Sequence, residues 1–239
     1  MKLQSIGICI RYSILINRFY KRNTTNFFKD RHWTEREFPE LRPSNTLLPN
    51  SIKLLEIGCG VGNFVFPLLK SNPALFIYCC DFSEKAIELV TTNTEYDTNR
   101  CHGFVCDLTT TDILKVIPEN SLDLISAVFC LSAIPPQKLH ICIENIQKLL
   151  KPGGIFLFRD YGLYDAAQLR FKPENKIDDM FYIRTDGTFS LFFTPESIQS
   201  LFPDFEVLEN GYVVKEIVNR KRDLSMDRVF VQSRLRKKL

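Results

Sequence analysis

Three of the chain's ten glycines fall within five residues, in Leu55-Glu56-Ile57-Gly58-Cys59-Gly60-Val61-Gly62-Asn63. Glycine at that density lets a chain turn sharply and bring its backbone against a ligand, because no Cβ stands in the way. The stretch follows an apolar run and opens a helical one, the setting in which such a loop cradles a nucleotide-like molecule. Two carboxylates stand at matching places further on. Asp81 closes the next apolar run, 23 residues after Gly58, where a nucleoside-binding α/β fold puts an acid to accept from ribose hydroxyls. Asp107 closes the third run, followed by Leu108. The acid can accept from an adenine amine while the leucine packs on the ring. Either aspartate alone reads equally as a cap of a strand-to-helix turn. The three strand ends together carry more than any one of them.

These residues need elements to position them. Ile52–Ile57, Ala74–Cys80, His102–Cys106, Ser121–Phe129 and Ile155–Phe158 are short apolar runs bounded by turn residues, and read as buried strands. Between them, Asn63–Lys70, a segment from the N-cap Ser83 to about Asn93, and the amphipathic Gln137–Leu150 read as helices. Lys151-Pro-Gly-Gly154 stops the last helix, with glycine as its left-handed cap. The alternation predicts a mostly parallel, doubly wound α/β sheet whose ligands sit at the carboxyl edge. After Gly162 the pattern changes. A polar excursion over 163–186 carries a short helix near Asp165–Phe171. Phe189–Phe193 follows as a strand and Thr194–Leu201 as a helix, then Val207–Val218 and Arg228–Ser233 as a final antiparallel pair. One domain is expected: an N-terminal segment over 1–45, a ligand-binding core over 46–162, and an insertion with a C-terminal hairpin over 163–239.

Composition narrows the function classes. With 45% hydrophobic and 25% charged residues, neither a disordered nor a fibrous chain is expected. No apolar run reaches the roughly 18 residues of a membrane span. The net charge of +3 hides a split. Residues 1–29 carry six Lys or Arg and no acid, and residues 215–239 carry nine basic and three acidic residues, which leaves 30–214 at −9. An acidic body with basic ends suits an anionic partner, although basic termini are often only solvated. The eight cysteines contain no C-x-x-C pair and the three histidines are scattered, so no metal site is expected and the thiols point to the cytosol or nucleus. Residues 1–18 are basic and apolar. Arg11 interrupts them and no small-residue cleavage site follows, which argues against a secretory signal. A mitochondrial presequence fits the lack of acids, but the motif-bearing chain begins by Phe19 and leaves little to remove.

Glu-x-Gly-x-Gly-x-Gly at 56–62, the acid after the second strand, Cys106-Asp-Leu108 and Lys151-Pro-Gly-Gly154 together resemble a class I S-adenosylmethionine-dependent methyltransferase over about residues 50–160. Nicotinamide dehydrogenases favour G-x-G-x-x-G, and Asn63 stands where that third glycine would be. A wider resemblance spans residues 19–235. Phe19-Tyr-Lys-Arg-Asn-Thr-Thr-Asn-Phe-Phe-Lys-Asp-Arg-His-Trp33, Phe158-Arg-Asp-Tyr-Gly-Leu-Tyr-Asp165, Leu169-Arg-Phe-Lys172, Tyr182-x-Arg-x-Asp-Gly-Thr188 and Arg228-Val-Phe-x-Gln-Ser233 are similar to the tRNA 3-methylcytidine methyltransferases, nearest the branch acting on serine tRNAs.

The resemblance implies S-adenosyl-L-methionine as cofactor and N3 of cytidine 32 in the tRNA anticodon arm as target. Some members also depend on an aminoacyl-tRNA synthetase, here seryl-tRNA synthetase. Cytosine N3 carries a lone pair, so attack on a methyl group needs no deprotonation, and positioning with electrostatic stabilisation does most of the work. The base must be unstacked, and an acid can accept from its N4 amine. Asp160, at the end of the fifth strand, is expected in that role; a salt bridge with Arg159 or a distal Arg is the plainer alternative. Tyr161 either walls the pocket or packs in the core. By resemblance, Phe27 and Arg31 meet the target base, and Tyr20, Glu56, Gly58, Gly60, Gly62, Asp81, Asp107, Leu108 and Val128 the cofactor. RNA contacts are expected from Lys21, Arg22, Lys29 and His32, from Arg170 and Arg184, and from Arg220, Lys221 and Arg222. The aromatics and cations interleaved over 19–33 suit an RNA loop, and equally a helix that packs its rings on the sheet while its lysines snorkel.

One departure stands out. The family has Trp four residues before the Tyr of Phe-Tyr-Lys-Arg, in the cofactor pocket, and this chain has Ile16 there. The residues before it do not resemble the family's usual charged extension, so a replaced or truncated N-terminus with weaker cofactor binding is expected. Two other functions stay open: a methyltransferase acting on a small molecule or protein side chain, and a catalytically weak RNA-binding form.

Overall fold

A computed structural model of the chain describes residues 17, 20, 29–43, 48–110, 112–219 and 224–239. The apolar runs become strands β1 (Ile52–Ile57), β2 (Leu75–Asp81), β3 (Cys101–Val105), β4 (Leu122–Val128) and β5 (Leu150–Tyr161). Short helix α1 (Thr34–Glu37) precedes them, and α2 (Val65–Ser71), α3 (Glu84–Thr91) and α4 (Pro136–Leu149) alternate with them. Three strands of the later region form a small separate sheet: β6 (Lys176–Asp178), β7 (Phe181–Ile183) and β8 (Phe189–Leu191). Helix α5 (Pro195–Leu201) leads to the long hairpin β9 (Phe205–Asn219) and β10 (Leu224–Lys237).

The main sheet has seven strands in the order β3-β2-β1-β4-β5-β10-β9. The first five are parallel, and β10 lies antiparallel to both β5 and β9. The order reverses between β1 and β4, so their carboxyl ends open a crevice at the point where such sheets bind ligands. Separate apolar clusters fill the two faces. Adjacent Cys79 and Cys80 go one to each, as a strand's alternation requires. All seven described cysteines are free thiols.

Local chemistry explains the helix starts. Ser83 Oγ accepts from Ala86 N–H at 3.2 Å at the head of α3, a cap worth about 1 kcal/mol. Thr194 and Ser197 form a reciprocal capping box on α5.

Two segments differ from the sequence expectation. Helix α4 does end at Leu149, but not on a left-handed glycine: Leu150 is already extended and pairs with Leu122. The Lys151–Gly154 stretch is absorbed into β5 as an irregularity, with Gly153 at φ +79°. The helix expected near Asp165–Phe171 shrinks to a single 3₁₀ turn, Gln168–Arg170. The buried Asp165 carboxylate is drawn instead to β10, accepting from Arg228 Nε at 2.9 Å and Val229 N–H at 2.8 Å.

Candidate active site

The glycine loop leaves β1 with Gly58, Gly60 and Gly62 at φ +69°, +55° and +90°, a region that L side chains enter only with strain. Space forbids a side chain as well. A Cβ on Gly58 would collide with the Cys130 thiol, and one on Gly62 with the Phe66 ring, while one on Gly60 would stand 3.1 Å from the Tyr20 hydroxyl. The loop is tied to the end of β2. Asp81 accepts from Gly60 N–H through Oδ2 and from Ser83 N–H through Oδ1, each at 2.9 Å. Burial pushes its carboxyl pKa up against those two donors. Asp81 thus holds the loop, and each oxygen keeps a lone pair for a ligand hydroxyl. Asn17 joins the same corner by accepting from Ser83 Oγ.

Beneath the loop, Glu56 is fully buried, and among the described residues neither carboxyl oxygen has a hydrogen-bond partner. Its nearest opposite charge is Arg31 Nη1, 3.7 Å from Oε1. Burial raises the Glu56 pKa well above the ordinary carboxylate range. A buried acid in this condition calls for a cation, and an ammonium group arriving over the glycine loop would supply it. These residues fit S-adenosylmethionine, whose amino-acid end carries such a group. Arg31 spans the crevice mouth: it donates to the Val128 carbonyl at 3.1 Å, lies 5.5 Å from the Phe129 ring centre, and its backbone N–H bonds Asn63 O at 2.8 Å.

At the end of β3, Asp107 Oδ1 accepts from the Thr109 N–H at 2.8 Å and from its hydroxyl at 2.6 Å. That oxygen therefore serves as a turn cap. Leu108 packs into the core at 5% exposure, and its carbonyl accepts from Asn145.

Asp160 ends β5 with no exposed surface. Its two oxygens accept from backbone, Oδ2 from Ser132 N–H and Oδ1 from Tyr161 N–H, each at 2.9 Å. Burial pushes its pKa up to about 6 against those donors. The alternative of a salt bridge to Arg159 is not what the structure has: Arg159 lies 3.4 Å from Glu37 instead. Tyr161 is half-buried beside Phe129, ring centres 5.3 Å apart, with the guanidinium carbons of Arg184 and Arg228 at 5.4 and 5.7 Å from its ring. An acid with oriented lone pairs, bordered by aromatic faces and flanked by cations, can hold a flat, amine-bearing ring beside anionic phosphates.

The structure thus gathers Tyr20, Arg31, Glu56, the three glycines, Asp81, Val128, Asp160, Tyr161 and Arg184 along one edge. Lys29, His32 and Arg170 lie exposed on the surface. Ile16, Lys21, Arg22, Phe27, Arg220, Lys221 and Arg222 lie outside the described residues. Sequence reasoning missed Phe129, which sits at φ +55° at the head of the crevice, and the buried Arg159. A bulky residue in left-handed geometry leaves no mark in composition. An arginine inside the apolar run before Asp160 was a visible signal. Among the described residues, no group of three or more His, Cys, Asp or Glu side chains is placed to hold a metal, and no helix is long and apolar enough to cross a membrane.

Comparison with known proteins bears on this site. A methyltransferase-domain family matches residues 55–156. The human tRNA N(3)-cytidine methyltransferase METTL6 is 53% identical over 221 residues, covering 92% of this chain and 78% of that protein. The tRNA N(3)-cytidine methyltransferase METTL2 of Danio rerio is 44% identical over 257 residues, covering 93% and 73%. Among solved structures, an S-adenosylmethionine-dependent methyltransferase from Anabaena variabilis superposes with a TM-score of 0.68 at 15% identity, covering 95% of both chains, a likeness of fold.

Proposed function

The chain belongs to the tRNA N(3)-cytidine methyltransferases, and from that premise we propose that it methylates N3 of cytidine 32 in the anticodon loop of serine tRNAs. S-adenosylmethionine supplies a methyl group made electrophilic by its sulfonium. The protein's task is to bring a neutral nitrogen lone pair in line with it. Glu56 meets the donor's ammonium group, and the glycine loop with Asp81 sets its sugar. Asp160 accepts from the N4 amine of the flipped base, which fixes the ring's rotation and aims N3. As the methyl transfers, positive charge grows on the ring, and the buried Asp160 carboxylate stabilises it. No residue has to remove a proton before attack. Phe27 and Arg31 meet the base in this reading, and Lys29, His32, Arg170, Arg184 and the 220–222 cations hold phosphates.

The observation that best supports the reading is Asp160 itself, buried at the strand end with both oxygens oriented by main-chain donors. On the same reading the tRNA is presented with seryl-tRNA synthetase bound, in the cytosol or nucleus, where the seven described free thiols stay reduced. The test is to incubate the chain with S-adenosylmethionine and unmodified serine tRNA, with and without the synthetase, and digest to nucleosides. The expected product is 3-methylcytidine, in larger yield with the synthetase. Its absence in both arms overturns the proposal.

A further inference from the structure

Arg159 has no part in the chemistry above, yet it is among the largest fully buried side chains. Its guanidinium carbon lies 4.6 Å from the Trp33 ring centre and 5.2 Å from that of Phe230. Nη1 donates to Gln232 Oε1 at 3.0 Å and stands 3.4 Å from Glu37 Oε2, while Nε has no hydrogen-bond partner among the described residues. Gln232 passes the contact on, donating to Glu209 at 2.9 Å. The Arg159 carbonyl accepts from the N–H of left-handed Phe129 at 2.8 Å. One cation therefore joins three pieces far apart in the chain: the turn Trp33–Glu37, strand β5 and strand β10. A buried cation with an unfilled donor is a poor way to fill a core, since an apolar residue of similar volume usually serves as well or better. What a guanidinium adds is a permanent charge on a flat fork that can stack on rings and pair at its edge.

We propose that Arg159 is a positioning residue for the methyl transfer. It pins the Trp33–Glu37 turn to β5 and β10, and so fixes Arg31, two residues before Trp33, between the Val128 carbonyl and Glu56. The inference rests on the functional reading above, because it assigns Arg31 a place at the target base.

Trp33 is the chain's single tryptophan, so its emission reports the clasp in the protein alone, without tRNA or cofactor. In Arg159→Met the emission shifts red and acrylamide quenching rises. The kcat for tRNA methylation falls about 10- to 100-fold, the scale of a misplaced contact, while the KM for S-adenosylmethionine changes little. Arg159→Lys keeps the charge without the fork and falls between Met and the parent on both measures. Glu37→Gln lies at a half-buried position outside the core, and shows the same changes in smaller size; it decides the matter should the Met variant fail to fold. Unchanged emission and quenching in the Met variant, or in Glu37→Gln in its stead, would overturn the clasp. Changed emission with unchanged kcat would overturn the positioning role. A parent protein with intact emission but no methylation overturns the functional reading instead, and the emission comparison still decides the clasp.

Discussion

The two sides of the crevice are built on different principles. On the β1–β2 side, the fixed groups are held by neighbours in sequence or by the next strand: Gly60 and Ser83 hold Asp81, and the loop itself hangs from Cys80 O through the Gly58 and Cys59 N–H groups, at 2.8 and 3.0 Å. Among the described residues its unsatisfied group is Glu56, which sits where a ligand's charge would complete it. On the β5–β10 side, every cation–ring contact among the described residues is found: Arg31 on Phe129, Arg159 and Lys215 on Trp33, Arg184 and Arg228 on Tyr161, and Arg159 and Arg228 on Phe230. The two on Trp33, from Arg159 and Lys215, join segments more than a hundred residues apart. The first side is a rigid backbone cradle for a small cofactor of constant shape. The second is a mosaic of stacked cations and rings, with the charge and flat faces that suit a large anionic substrate, and it depends on tertiary assembly.

The contrast can be broken at either side. Asp160→Asn should cost most. The amide keeps the shape but loses the negative charge, and its NH₂ opposes a main-chain donor, so kcat in single turnover falls about 10²- to 10³-fold. S-adenosylmethionine affinity, measured by calorimetric titration, stays near the parent's. Equal loss of cofactor binding would mean that the two sides are not separable. Glu56→Gln strikes the cradle. Cofactor affinity should weaken about 10- to 100-fold, the range for a hydrogen bond to a charged group, while tRNA binding by filter retention holds steady. If tRNA binding fell alike, the Arg31–Glu56 contact would be coupling the sides.

The pH profile comes next in size. With its pKa raised by burial to about 6, Asp160 is ionised above that pH and protonated below it. The protonated acid donates where it must accept. Turnover is therefore level above about pH 6 and drops roughly tenfold per unit below it; a rate that stays level to pH 5 would show that the ionised form is not needed. Lys215→Ala removes one half-exposed cation 5.7 Å from the Trp33 ring. It should cost only about 0.5–1 kcal/mol in urea unfolding. A much larger loss would make Lys215, and not Arg159, the main support of that ring.

How far the sequence could be read follows the same divide. The cradle was legible because its parts are local: Glu56 to Gly62 is a contiguous motif, and Asp81 and Asp107 each end an apolar run. The succession of the first five strands along the chain and the β9–β10 pairing were likewise written in short apolar runs, whereas the order of those strands in the sheet was not. Of the small sheet only β8 was legible, in the run Phe189–Phe193; β6 and β7, three residues each beside a polar stretch, have no period to detect. The destination of Arg159 was not legible either. The run Phe158-Arg159-Asp160 shows a charge entering a strand, but only the fold brings Trp33 and Phe230 to its two faces. Asp165 taught the opposite lesson: its polar setting suggested a helix, and a partner 63 residues later took the carboxylate elsewhere.

A crevice built this way methylates one cytidine chosen by its place in a loop. The direct measurement uses S-adenosylmethionine labelled in the methyl group and two serine tRNAs identical except at position 32, one with cytidine and one with uridine, with the synthetase present. Label is expected in the first tRNA only, recovered as 3-methylcytidine at position 32. Label in both, or in neither, would contradict it.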